Sequence, residues 1–160
     1  MKRASAKKAA YKKKVREYAR LLKDDEDWDW AFIIKVLQYK LKRTRLCIES
    51  NNIVASSKKI AKQIKEVEDL FGSVLDNRYY RELGKNFRRK HGSGRLVYGK
   101  KEPGTQSVGI SVRFRGETKR NRDKIHREFR RLHDQADRKL ERDLGRAFAL
   151  MEKNIRGWWD

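Results

Sequence analysis

The sequence predicts a mainly α fold: a small antiparallel helical bundle with a long C-terminal helix and an inserted basic β-hairpin. Three observations lead there. Trp30, Ile34, Leu37, Leu41 and Ile48 recur at helical steps, and so do Ile60, Ile64, Val67, Phe71 and Val74. From Ile125 to Trp158 apolar residues return every ~3.67 residues, closer to a straight packed helix than to a left-handed coiled coil, so a homodimeric coiled coil is the second choice there. Between these patterns, from Arg88 to Gly116, lie six of the ten glycines and the only proline, and Ser107 to Arg115 alternates as a half-buried strand does.

Each element follows from its own residues. Residues 1–23 are rich in Ala, Lys and Arg, with Tyr11, Val15, Tyr18, Leu21 and Leu22 at helical spacing. They predict a basic amphipathic helix from about Ala9 to Lys23, with Met1 to Lys8 frayed. The run Asp24-Asp25-Glu26-Asp27-Trp28-Asp29 suits the positive end of a following helix, with Asp27 or Asp29 as cap. Adjacent carboxylates without a histidine or a spaced partner do not favour a metal. The helix Trp30 to Glu49 is the most apolar; Ile33, Val36 and Leu46 widen its stripe, and Cys47 is expected to be a buried thiol.

A turn at Ser50-Asn51-Asn52 leads to a helix capped in Ser56-Ser57 that runs to about Asp76. The short link makes the two an antiparallel pair, and Gly72 is expected to shorten or kink the second. Asn77 to Phe87 predicts a short helix whose Tyr79, Tyr80, Leu83 and Phe87 cover one end of the core. Arg95 to Tyr98 is expected to pair with Ser107 to Arg115, joined through Lys100-Lys101-Glu102-Pro103-Gly104. Val108, Ile110, Val112 and Phe114 face one side, Arg113 and Arg115 the other. The last helix is capped at Thr118 or Asn121 and runs to about Ile155, with Arg130, Asp134, Arg138 and Arg142 on its solvated face. Trp158 and Trp159 are too costly to expose and are expected to dock on the bundle, with docking on a partner as the second choice. The implied organisation is a basic arm, 1–23, then one helical domain, 24–160, with a glycine-rich basic ribbon at 88–117.

The net charge of +21 is unevenly placed. Residues 1–23 carry ten Lys/Arg against Glu17, and residues 85–122 carry twelve against Glu102 and Glu117, whereas residues 24–84 balance at eleven of each sign. Positive charge concentrated outside the apolar framework favours a polyanionic partner. The candidate phosphate-binding residues in the head are Lys7, Lys8, Lys12, Lys13 and Lys14. In the middle segment they are Arg88, Arg89, Lys90, Arg95, Lys100, Lys101, Arg113, Arg115, Lys119, Arg120 and Arg122. Tyr11, Tyr18, Phe87, Tyr98 and Phe114 are interleaved with them, and such rings can stack on splayed bases. Nothing resembles a helix-turn-helix, a zinc finger or an RNA-recognition signature, so low specificity is expected, for DNA or RNA.

The segments Phe32 to Leu46 (FIIKVLQYKLKRTRL), Lys59 to Leu75 (KIAKQIKEVEDLFGSVL) and Ile155 to Asp160 (IRGWWD) cover about half the chain. In them the sequence resembles a loose group of uncharacterised small basic helical proteins of tailed bacteriophages. The basic head and the glycine-rich ribbon depart from that pattern. The resemblance implies a phage or mobile-element origin and no particular activity.

The chain contains no Walker loop, HExxH, paired CxxC or GxSxG. His91-Gly92-Ser93-Gly94 lacks the strand–loop–helix setting of a phosphate loop and is expected to be flexible. His126 and His133 lie two helical turns apart, too far to share one metal ion, and are expected to be ordinary half-buried or surface side chains. No catalytic residue, metal or cofactor is expected. The N-terminus lacks the apolar run of a secretory signal, and Trp30 to Tyr39 is about half a membrane span. The expectation is a non-enzymatic, phage-derived nucleic-acid-binding protein in the cytoplasm of a bacterial host, with no membrane partner. The alternatives are an interaction protein that inhibits a host nuclease or RNA-guided defence complex, and a virion component packed against the genome.

Overall fold

Alanine, lysine, arginine and leucine are strong helix formers, and nothing between Lys2 and Leu22 interrupts them. In a computed structural model this whole stretch is one helix, α1 (Lys2–Leu22), so the backbone is helical through the residues expected to fray. The structure describes residues 2–23, 30–51, 56–101 and 108–158, with side chains for 8–23, 30–50, 56–99 and 109–158. After α1 come α2 (Trp30–Asn51), α3 (Ser57–Leu75) and α4 (Arg78–His91). The antiparallel hairpin β1 (Gly94–Lys101) and β2 (Val108–Phe114) follows, then α5 (Arg122–Asn154) and a 3-10 turn, Arg156–Trp158. The protein is mainly helical, with a long C-terminal helix and a hairpin between the fourth and fifth helices. Lys100 and Lys101, expected in the connection between the strands, belong to β1. The rest of that connection, the expected caps Asp27 and Asp29, and Trp159 lie outside the described residues.

The chain forms two compact units, Met1–Leu75 with Leu144–Asp160, and Asp76–Asp143. In the first, Ile34, Leu41 and Ile48 of α2 pack with Ile60, Ile64, Val67 and Phe71 of α3, and Ala147 and Trp158 complete the cluster. Gln38 lies beside Glu68 and Gly72, and Arg45 reaches Glu68, so α2 and α3 run antiparallel. Gly72 does not break α3. A Cβ there would lie 2.8 Å from Gln38 Nε2, so the glycine makes room for the Gln38 amide, which donates to the Glu68 carbonyl at 3.1 Å. Trp158 is only 2% exposed, and its indole N–H donates to Gln63 Oε1 at 3.3 Å, which satisfies the one polar group that burial would orphan.

The α2 stripe is narrower than its sequence implies. Trp30, Ile33 and Leu46 are exposed, and Cys47 is an exposed thiol rather than a buried one. These residues sit off the line through Ile34, Leu41, Thr44 and Ile48 that α3 covers.

The second unit is built on rings. Phe87 of α4, Phe114 of β2 and Ile125 of α5 are buried, with Val112, Phe129 and Leu132 half-buried against them. Phe87, Phe114 and Phe129 meet pairwise with centroids 5.0–5.5 Å apart in tilted and edge-on arrangements, the geometry that ring quadrupoles favour. Each histidine of the chain stacks on one of these phenylalanines: His91 on Phe87, His126 on Phe114 and His133 on Phe129. The sequence placed Phe87 at one end of the bundle core; it belongs instead to this separate aromatic cluster, because the hairpin brings Phe114 to it.

Candidate nucleic-acid interface

The hairpin is positioned by its junctions. His91 ends α4, and Gly92 turns the chain at φ 78°, with its N–H donating to the Arg88 carbonyl at 2.8 Å. A Cβ on Gly92 would meet the Arg115 Cβ at 2.8 Å, so only glycine permits this close approach. Arg115 N–H donates to the Ser93 carbonyl at 3.1 Å, and Gly116 N–H to the His91 carbonyl at 3.0 Å. The segment expected to be a flexible loop is therefore a tight, hydrogen-bonded corner. At the far side, Asn121 Oδ1 accepts from Thr118 N–H at 2.7 Å, and Ile125 N–H donates to the Asn121 carbonyl at 3.0 Å, which starts α5.

This register sets the side chains. Gly94 pairs with Phe114, Arg95 with Arg113, Leu96 with Val112, and Tyr98 with Ile110. Paired residues share a face, so Arg95 and Arg113 stand side by side on one face, and Ser93 and Arg115 extend that row through their backbone bond. Ser93, Arg95, Arg113, Phe114, Arg115 and Glu117 line an open cavity of about 440 Å³. All three arginines are exposed, and among the described residues none has an acidic partner.

Glu117, the one acid among the described residues that line this cavity, is otherwise engaged. Its side chain is 6% exposed; Oε2 accepts from Phe114 N–H at 3.1 Å and meets His126 Nε2 at 3.2 Å, while Oε1 lies 3.4 Å from Arg122 Nε. The Phe114 N–H holds the carboxyl below its ordinary range, helped by His126 and Arg122. Lys90 is likewise bound, to Glu128 at 2.8 and 2.9 Å, beside a 3.0 Å His91–Glu128 contact. Arg89 donates to Asn86 Oδ1 at 3.2 Å. Arg88, Lys119 and Arg120 are exposed; Lys100 and Lys101 end β1, with side chains outside the described set.

The N-terminal group divides too. Lys8 and Lys12 are exposed on α1, and the Lys7 side chain lies outside the described set. Lys13 and Lys14 line a cleft of about 610 Å³ with Glu17, Tyr39, Lys42 and Arg43. Tyr18 meets Tyr39 edge-on at 5.2 Å. Tyr39 O–H donates to Glu17 at 2.6 Å, Arg43 ion-pairs with the same carboxylate, and the Tyr39 bond draws the Glu17 carboxyl below its usual range. Lys42 was not among the sequence candidates, because it lies within residues 24–84, where charges of the two signs balance. Its sign matters only once the cleft sets it near Lys13 and Lys14.

Among the described residues no cluster of His, Cys, Asp or Glu could hold a metal ion, and no helix is long and apolar enough to cross a membrane. Comparison with known proteins finds no family model, no curated protein and no solved structure that matches the chain.

Proposed function

We propose that this chain is a non-enzymatic, phage-derived nucleic-acid-binding protein that grips the phosphate backbone with low sequence specificity. The observation that carries the reading is the cross-strand pairing of Arg95 with Arg113, extended by Arg115. Like charges directly opposite in a two-stranded ribbon destabilise it, so the arrangement gains nothing for folding. A row of phosphates removes the repulsion: each guanidinium can offer two parallel donors to phosphate oxygens, and Ser93 adds a hydroxyl. The α1–α2 cleft, with Lys13, Lys14 and Lys42, supplies a second electropositive surface of the same chemistry.

The test is a salt series with duplex DNA, single-stranded DNA and RNA. Affinity should fall along a straight line in log K against log salt, with a slope that reports the phosphates neutralised. Absence of binding to all three at low salt would end the proposal. Retention on host protein after nuclease treatment, without nucleic-acid binding, would point instead to the interaction-protein alternative.

A further inference from the structure

We propose that the hairpin takes unpaired nucleotides, with phosphates on its arginine face and bases against the opposite, apolar face; this rests on the nucleic-acid reading above. The pairing that sets Arg95 beside Arg113 also sets Leu96, Tyr98, Ile110, Val112 and Phe114 on one other face. Cover falls away along it. Phe114 is 4% exposed in the aromatic core and Val112 is half-buried, but Leu96, Tyr98 and Ile110 are 58, 65 and 63% exposed. A single exposed apolar side chain is ordinary, whereas three contiguous ones on adjacent strands form a patch that marks a ligand surface.

Leu96 and Val112 also wall a cavity of about 270 Å³ whose other sides include Phe87, Phe129 and the exposed Arg88. Its walls are mainly carbon and ring, with guanidinium beside them. A ligand that fits both faces of so thin a ribbon must join anionic groups to flat apolar ones at close spacing. A nucleotide with its base unpaired does this. In a duplex the base faces are stacked on one another and cannot reach Tyr98, so the apolar face selects single strands. Charge separates this occupant from a second copy of the chain: at +21, copy-to-copy docking brings two strongly like-charged molecules together.

The test compares anisotropy of labelled single-stranded DNA, single-stranded RNA of the same sequence and the matching duplex at one salt concentration. Wild type should prefer at least one single strand over the duplex by tenfold or more, and the preferred strand identifies the source of the nucleotide. Y98A/I110S, at exposed positions outside the buried aromatic cluster, should lose at least fivefold of single-strand affinity and keep duplex affinity within twofold. R95A/R113A should weaken both alike. Duplex binding without single-strand preference, or equal losses in Y98A/I110S, would overturn this inference and leave the backbone-binding reading standing. No binding to any strand would remove both. Loss of self-association in Y98A/I110S, with single-strand affinity unchanged, would assign the face to a second copy and overturn the proposal.

Discussion

In the unit built on α2 and α3, three arginines are matched across helices: Arg45 lies 2.8 Å from Glu68, Arg146 pairs with Glu66, and Arg43 with Glu17. In the hairpin unit, Arg95, Arg113 and Arg115 share a face and have no acid among the described residues, while the nearby Glu117 is turned inward to Phe114 and His126. The first unit has nine buried residues in its main cluster and the second has three. A large aliphatic core draws its charges into pairs at its margin. The small aromatic core supports a ribbon that outruns it, and what projects beyond the core, on either face, is free to meet a ligand.

The largest test of this contrast is Phe71→Ala. The ring is fully buried in the aliphatic cluster and edge-on to Phe148 at 5.6 Å, so truncation should cost about 3–5 kcal/mol, read as a lower thermal midpoint by circular dichroism. If the midpoint hardly moves, the α2–α3 core is not what holds the first unit together. Next is Glu68→Ala. The Arg45 and Glu68 side chains are 14% and 9% exposed, and removing the acid leaves a half-buried guanidinium with only Glu49, at about 1–3 kcal/mol. Arg45→Met together with Glu68→Leu should restore much of the loss, since the pair matters less than the unpaired charge.

The converse holds in the other unit. Arg113→Glu with Arg115→Glu should lower nucleic-acid affinity tenfold or more, by replacing two phosphate donors with repulsive charges, and should not lower the thermal midpoint. It should even relieve the repulsion with Arg95. Equal losses of binding and stability would mean that these arginines hold the ribbon together and that the contrast between the units is false.

What could be read beforehand divides along the same line. The α3 stripe was legible in full, because Ile60, Ile64, Val67, Phe71 and Val74 are all buried on one face. The α2 stripe was legible in direction but not in width. Periodicity shows where the apolar face points, while its covered breadth depends on what packs there, and so Cys47 and Ile33 are exposed. Alternation in β2 placed Arg113 and Arg115 correctly on the face away from Phe114; how soon the core ends, at Val112, depends on the distant Phe87 and Phe129. The pairing of Lys90 with Glu128, 38 residues apart, left no local trace.

The smallest effect concerns what Glu117 does at the end of β2. Its carboxylate accepts the Phe114 N–H, faces His126 and Arg122 from α5, and is held below the ordinary value of 4.5, first by that N–H and then by His126 and Arg122. A carboxyl lowered in the folded state contributes stability above its unfolded value. That contribution is lost as pH falls through the lower, folded one. The junction between β2 and α5 should therefore loosen only below about pH 4.5, and the Phe114 amide resonance should report it with an inflection in that range. Glu117→Gln keeps a hydrogen-bond acceptor for Phe114 but removes the charge, so the inflection should vanish. Glu128→Gln is the control: Glu128 is also lowered, chiefly by Lys90, but does not touch Phe114, so its loss should leave the inflection in place. An inflection that survives Glu117→Gln, or disappears in Glu128→Gln, would mean that the ribbon is anchored through α4 rather than through its own terminal hydrogen bond. The inward turn of the only acid among the described residues of the arginine cavity would then have no structural purpose, and the arginines would be as open to neutralisation as those of the first unit.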